Sequence, residues 1–307
     1  MSTPHWAEPA LATVLDRVAV TRAEVGDRFP LFADPDSGRW TTTRRGSWTG
    51  GFWAGLLWLR ARHTGDEDDR KAATECTARL ADWVAADTAA RGLILWYGTA
   101  LADDPGAAAL RDRAAHACLY AFDAELGLIP WGSAFGGPRL AARADAVPGM
   151  VPLLAPVDRK AAETHLRTHL ELCAGPPPGW SRGRAWLLLA TADALHRLDV
   201  PDLHDTAAEL TDSRLVPPAD DGRPDGPLDT SAAAITAVAL LKLGRRERAV
   251  AILEELVRVH LSGNGALLDG CYDLGEGIAT RHELVWGDFF LAFGLAVLTG
   301  LAGSYDV

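Results

Sequence analysis

Two arginines and two tryptophans crowd into Gly179-Trp180-Ser181-Arg182-Gly183-Arg184-Ala185-Trp186. Backbone N–H groups at a helix entrance attract anions. An arginine fork clamps a carboxylate through two parallel bonds, and an indole face suits the apolar C–H side of a sugar ring. The prolines Pro176, Pro177 and Pro178 stand just before, stopping one element and setting up the next, and Ser181 is placed to cap the new helix. The same residues also read more simply, as a capped helix with a surface arginine and a core tryptophan. A second stretch, Ser47-Trp48-Thr49-Gly50-Gly51-Phe52-Trp53, runs on to Trp58 with three tryptophans in 11 residues, more than one core stripe needs. Trp48 precedes two glycines, where backbone can approach a ligand closely. In a third, Asp145 is a lone acid opening an apolar segment, and by itself it reads equally as a helix cap. His165 and His169 are spaced i, i+4, which suits a metal, but the intervening Leu-Arg-Thr is not the H-E-x-x-H pattern of zinc peptidases.

These residues must be positioned by helices. Apolar residues recur at helical spacing along most of the chain, while the alternation of strands is nearly absent. Helices are expected near residues 7–27, 48–58, 67–86, 93–102, 107–121, 159–173, 180–198, 201–211, 230–243, 246–261 and 282–300. Asp158 and Asp229 stand as their caps. Residues 29–46 read as a loop, because Asp34-Pro35-Asp36-Ser37-Gly38 is a strong turn signal. About twelve helices in consecutive hairpins permit either a closed ring of helix pairs or an open solenoid. No repeated motif is present, which weighs against regular solenoid repeats.

The 307 residues are enough for one full hydrophobic core, and no Gly/Ser-rich linker divides them, so a single domain over 1–307 is expected. A net charge of −11 argues against a nucleic-acid partner. The four cysteines lie far apart without a C-x-x-C pair and read as small buried apolar residues. The first dozen residues lack a basic start followed by an apolar run, and no stretch has the ~20 apolar residues of a membrane span. A soluble, cytoplasmic protein with no membrane partner is the expectation.

Six segments together resemble glycoside hydrolase family 88, the unsaturated glucuronyl hydrolases, and they occur in that family's order. They are residues 48–58; Ala144-Asp145 with Leu153-Leu154; residues 180–186; Val216-Pro217-Pro218; Asp229-Thr230-Ser231-Ala232-Ala233-Ala234-Ile235; and Leu284-Val285-Trp286-Gly287-Asp288-Phe289-Phe290. The resemblance implies an all-α fold, an (α/α)6 barrel, and no cofactor or metal. It also implies an unusual reaction on a small anionic sugar glycoside: hydration of the C4=C5 double bond of a terminal unsaturated uronic acid, after which the hemiketal opens. One carboxyl group can serve as both acid and base if its pKa lies near the working pH. Asp145 matches the family's catalytic aspartate. Trp48, Trp180, Arg182 and Trp186 match substrate-pocket positions, His165 fits a histidine near the sugar, and Arg184 stands where the family has glutamine.

The chain departs from the family at Arg184, in the segment Cys173 to Gly179, which replaces a longer polar stretch before the motif, and in a missing acid. A second family aspartate lies in a His-Asp-x-Gly-Phe loop, and here the stretch reads Thr88-Ala89-Ala90-Arg91-Gly92-Leu93. Asp87 is the nearest acid and comes several residues too early. Three functions are therefore weighed: a glycosidase working through Asp145, a catalytically silent sugar-binding relative, and a helical scaffold. The scaffold is disfavoured, because core stripes do not require arginines and tryptophans at helix entrances.

Overall fold

The computed structural model describes residues 3–174 and 179–307. The three prolines before Trp180 lie outside the described residues. Among those described, helical segments alternate between an outer and an inner layer around a ring. The outer ones are Ala7–Val25, Glu67–Ala78, Pro105–Ala121, Arg159–Cys173, Leu203–Glu209 and Arg246–Glu255. The inner ones are Gly50–Thr64, Gly92–Trp96 continued by Tyr97–Thr99, Met150–Leu154, Ser181–Arg197, Thr230–Lys242 and Val285–Thr299. This is the (α/α)6 barrel.

Burial explains the alternation. Every residue of Thr230–Lys242 is buried, and so is nearly all of Val285–Thr299. A helix apolar on all sides must be surrounded by protein. The outer helix Arg159–Cys173 instead buries one stripe, Ala161, Ala162, His165, Leu166 and His169, and leaves its other faces toward solvent. Helix Thr230–Lys242 packs against both Ser181–Arg197 and Val285–Thr299, so these inner helices are neighbours in the ring. Rings from four inner helices fill the barrel: Phe52 lies 5.0 Å from Tyr97, 6.1 Å from Trp186 and 5.5 Å from both Phe289 and Phe290. Such aromatic pairs add about 0.5–1.5 kcal/mol each beyond the area they bury.

Several local expectations meet a different structure. Residues 29–46 hold a hairpin, Phe29–Ala33 with Trp40–Thr43, to which Glu283–Leu284 adds a third short strand. Its sequence hides the alternation because Pro30 interrupts it and the third strand comes from the far end of the chain. The helix expected over 67–86 ends at Ala78 and is followed by a 3-10 turn, Ala81–Ala85. Asp158 and Asp229 do cap their helices, through the backbone N–H groups of Ala161 and Ser231. Ser181 does not, since its hydroxyl donates to Ala219 O instead. The close approach at Gly50-Gly51 is between helices rather than toward a ligand, because a Cβ on Gly51 would lie 2.2 Å from Leu93 O. No helix among the described residues is long and apolar enough to cross a membrane.

Candidate active site

Loops at one end of the barrel enclose a cavity of about 990 Å³. Its wall includes Trp48, Trp131, Arg143, Asp145, Trp180, Arg182, Arg184, Asp220, Arg223 and Tyr272. Sequence positions more than 220 residues apart thus meet in one space, as the ring topology requires.

Asp145 sits half-buried on the 3-10 turn Ala144–Ala146. It caps no helix, and its carboxylate has no hydrogen bond within ordinary geometry among the described residues. Asp220 and Asp273, also on the wall, instead bind the backbone N–H groups of Gly222 and Glu276 and hold turns together. Burial pushes the Asp145 carboxyl above its ordinary range. The guanidinium of Arg182, then that of Arg143, then the indole N–H of Trp186 act in the opposite sense. That indole nitrogen is buried and makes no hydrogen bond of ordinary geometry among the described residues.

His165 places the turn on which Asp145 stands. Its Nδ1 accepts from the N–H of Ile129 at 3.1 Å, which assigns the ring proton to Nε2, and Nε2 donates to Ala146 O at 3.1 Å. The ring is fully buried and burial pushes its pKa down to about 3, so it is neutral. With both nitrogens engaged and no surface on the cavity, His165 is neither a sugar contact nor a metal ligand. This corrects the expectation of a substrate-binding histidine.

Arg182 stands in the first turn of Ser181–Arg197, almost fully buried. Its Nη1 donates to Asp229 Oδ2 at 2.8 Å and to Cys271 O, and its Nη2 donates to Tyr272 O at 2.7 Å. The guanidinium lies between two indole rings, 5.0 Å from that of Trp180 and 5.3 Å from that of Trp286. Asp229 turns its other oxygen to Ser231 at the head of the next inner helix. One ion pair therefore joins two inner helices to the loop at 271–272. The arginine lines the cavity, but the fork expected to clamp a ligand carboxylate already grips protein. Arg184 is similar. It donates to Asp212 and Asp221, both shared with Arg214, and so fastens the loop after Leu203–Glu209.

The tryptophans divide. Trp48 and Trp180 line the cavity as expected. Trp48 packs 4.8 Å from Trp286 and stacks on Tyr272 at 6.3 Å. Trp180 lies flat over Gly183, where a Cβ would come within 2.6 Å of its ring, which is why the motif carries glycine there. Trp186 has no exposed surface and stacks on Phe52, so it is a core residue that reaches the site only through its N–H. This corrects its placement as a sugar contact.

The region of the missing acid is closed by packing. Ala89 and Ala90 are fully buried, and a Cβ on Gly92 would lie 2.1 Å from Pro148 O, so this segment presses against the loop behind Asp145. Asp87 points elsewhere: it accepts from Ser133 and from Arg139, whose bond holds its carboxyl below the usual range. Reasoning from sequence missed Arg143, Trp131 and Tyr272. Of these only Arg143 carried a signal, as a cation two residues before the lone acid.

No family model matches the chain. A curated relative, the unsaturated glucuronyl hydrolase of Bacillus sp. (strain GL1), is 26% identical, the alignment covering 93% of this chain and 94% of that protein. Along nearly its whole length this chain is similar to an unsaturated glucuronyl hydrolase. A crystal structure of the Bacillus sp. GL1 enzyme superposes with a TM-score of 0.81 at 22% identity, over 95% of this chain and 96% of the other. An unsaturated glucuronyl hydrolase specific for heparin superposes with a TM-score of 0.84 at 18% identity, over 96% and 97%. At these identities the superpositions speak to the fold, and the chemistry rests on the residues of the cavity.

Proposed function

We propose that the protein is a glycosidase acting on the glycoside of an unsaturated uronic acid, with Asp145 as general acid and base. The observation that carries this reading is the state of Asp145. It is a carboxyl on the cavity wall, free of the turn-capping bonds that occupy Asp220 and Asp273, and burial raises its pKa and so favours its protonated form. In that form it donates its proton to C4 of the enol ether. Positive charge then develops at C5 and on the ring oxygen. The carboxylate left behind takes a proton from water as the hydroxyl adds to C5, and the hemiketal opens to release the aglycone. The cations beside Asp145 favour that carboxylate, which eases the second half of the cycle. Trp48 and Trp180 offer flat faces for the sugar. The stretch from Thr88 to Leu93, where the family resemblance would put a second acid, carries none, so this reading makes one residue answer for both proton transfers.

The test follows loss of absorbance at the alkene band over a panel of unsaturated uronides, with ligand binding measured in parallel. Asp145→Asn keeps the shape and removes the titrating proton, so turnover is expected to fall by roughly 10² to 10⁴ with binding retained. Wild-type protein that binds these sugars and consumes none of them would instead establish the silent sugar-binding relative.

A further inference from the structure

We propose that Arg143 is the side chain that recognises the anionic group of the ligand, so that recognition and proton transfer come from one short segment, residues 143–145. The inference rests on the proposed sugar-binding role of the cavity and names the residue that makes it selective for an acid.

Four arginines line the cavity wall: Arg143, Arg182, Arg184 and Arg223. Arg182 and Arg184 bind carboxylates and carbonyls of the protein itself. Arg223, which is exposed as Arg143 is, leans toward Asp220 at 3.8 Å. Arg143 has neither an ion pair nor a side-chain hydrogen bond among the described residues, although it lines the cavity. Its positive charge favours the ionised form of Asp145.

The surroundings hold the guanidinium ready. It lies 4.7 Å over the ring of Trp131. A guanidinium stacked on an indole keeps its edge, with the N–H fork, open to a planar carboxylate. Trp131 is itself buried and fixed, its indole N–H donating to Gly136 O at 2.9 Å. The next residue, Gly137, has φ +80°, and a Cβ there would lie 2.6 Å from Arg143 Nη2, so the glycine turn leaves the space that the guanidinium occupies. The backbone of Arg143 is extended, with φ −137° and ψ 142°, immediately before the turn that carries Asp145. A carboxylate held by this fork would stay beside the acid that must protonate the same sugar ring, and its charge would help keep Asp145 protonated until the alkene reacts.

The probes are an unsaturated uronic-acid disaccharide and its methyl ester, with affinities measured by titration calorimetry in an Asp145→Asn background that removes turnover. Arg143→Ala should weaken the acid roughly 10- to 100-fold, the size of a lost charge-assisted pair, and change the ester by less than about threefold. Arg143→Lys should recover part of the loss, and Arg223→Ala should leave the acid unaffected. Equal losses for acid and ester, or no loss for the acid, would overturn the assignment, and so would a protein that binds neither probe. Turnover by the Asp145-intact protein is measured separately. An acid-selective site that depends on Arg143 without turnover would leave this inference standing while the proposed reaction fails.

Discussion

His165 offers a quantitative check on how the candidate site is built. In the fold its ring is neutral, with a pKa of about 3 against an ordinary value near 6.5, chiefly because burial removes water from it. The unfolded chain exposes the ring and lets it take a proton. Below pH 6.5 the unfolded state therefore binds more protons than the folded one, and stability falls as pH falls. The contribution is fully present above the unfolded value and is lost progressively down to the folded one. At pH 5 the folded ring is still about two units above its own pKa and stays neutral, so the loss is set by the unfolded histidine. Each pKa unit corresponds to about 1.4 kcal/mol, and His165 alone should cost about 2 kcal/mol of stability between pH 7 and pH 5. His165→Gln keeps one acceptor for Ile129 N–H and one donor for Ala146 O but cannot titrate. Urea unfolding, followed by the fluorescence of the 11 tryptophans, gives the stability of both proteins at the two pH values. The variant should lose about 2 kcal/mol less than wild type over this interval, whatever its absolute stability at pH 7. Titrating groups remote from His165 cancel in the difference; His169, whose ring lies 4.3 Å away, is held constant by making the comparison in a His169→Gln background. Parallel pH dependences would refute the neutral, doubly bonded histidine and with it the account of what holds the Asp145 turn.

Two further perturbations test the supports on either side of that turn. Asp229→Asn leaves the buried guanidinium of Arg182 without its counter-charge. It should cost about 3–5 kcal/mol in chemical denaturation; a loss below ~1 kcal/mol would mean that the pair is solvated. Gly92→Ala places a methyl group against Pro148 O. Overpacking of this kind costs about 1–3 kcal/mol, and because the clash falls on the backbone behind Asp145, turnover of an unsaturated uronide should drop even at temperatures where the variant remains folded. Unchanged turnover would mean that the 148–149 backbone yields without moving the carboxyl.

Much of the architecture was legible in the sequence. The helical periodicity, the caps Asp158 and Asp229, and the apolar runs of Thr230–Lys242 and Val285–Thr299 are local features that determine helices wherever the chain goes. The motif around Trp180 and the lone acid Asp145 were also visible, because an unusual residue in an apolar context stands out without coordinates. The sequence could not decide what each polar side chain touches. Arg182 and Arg143 are both arginines near tryptophan, yet one is matched by Asp229, 47 residues away, and by carbonyls some 90 residues away, while the other rests on Trp131 with no partner of opposite charge among the described residues. The family resemblance set His165 and Trp186 beside the ligand, but the helix faces that carry them turn into the core. The short strand Glu283–Leu284 likewise exists only because the ring closes and brings it to Phe32 and Ala33. Local pattern determines which segments are helices and where chemistry is available. Which cation is left for a ligand depends on hydrogen bonds made between residues far apart in the chain, and only the closed barrel brings those residues together.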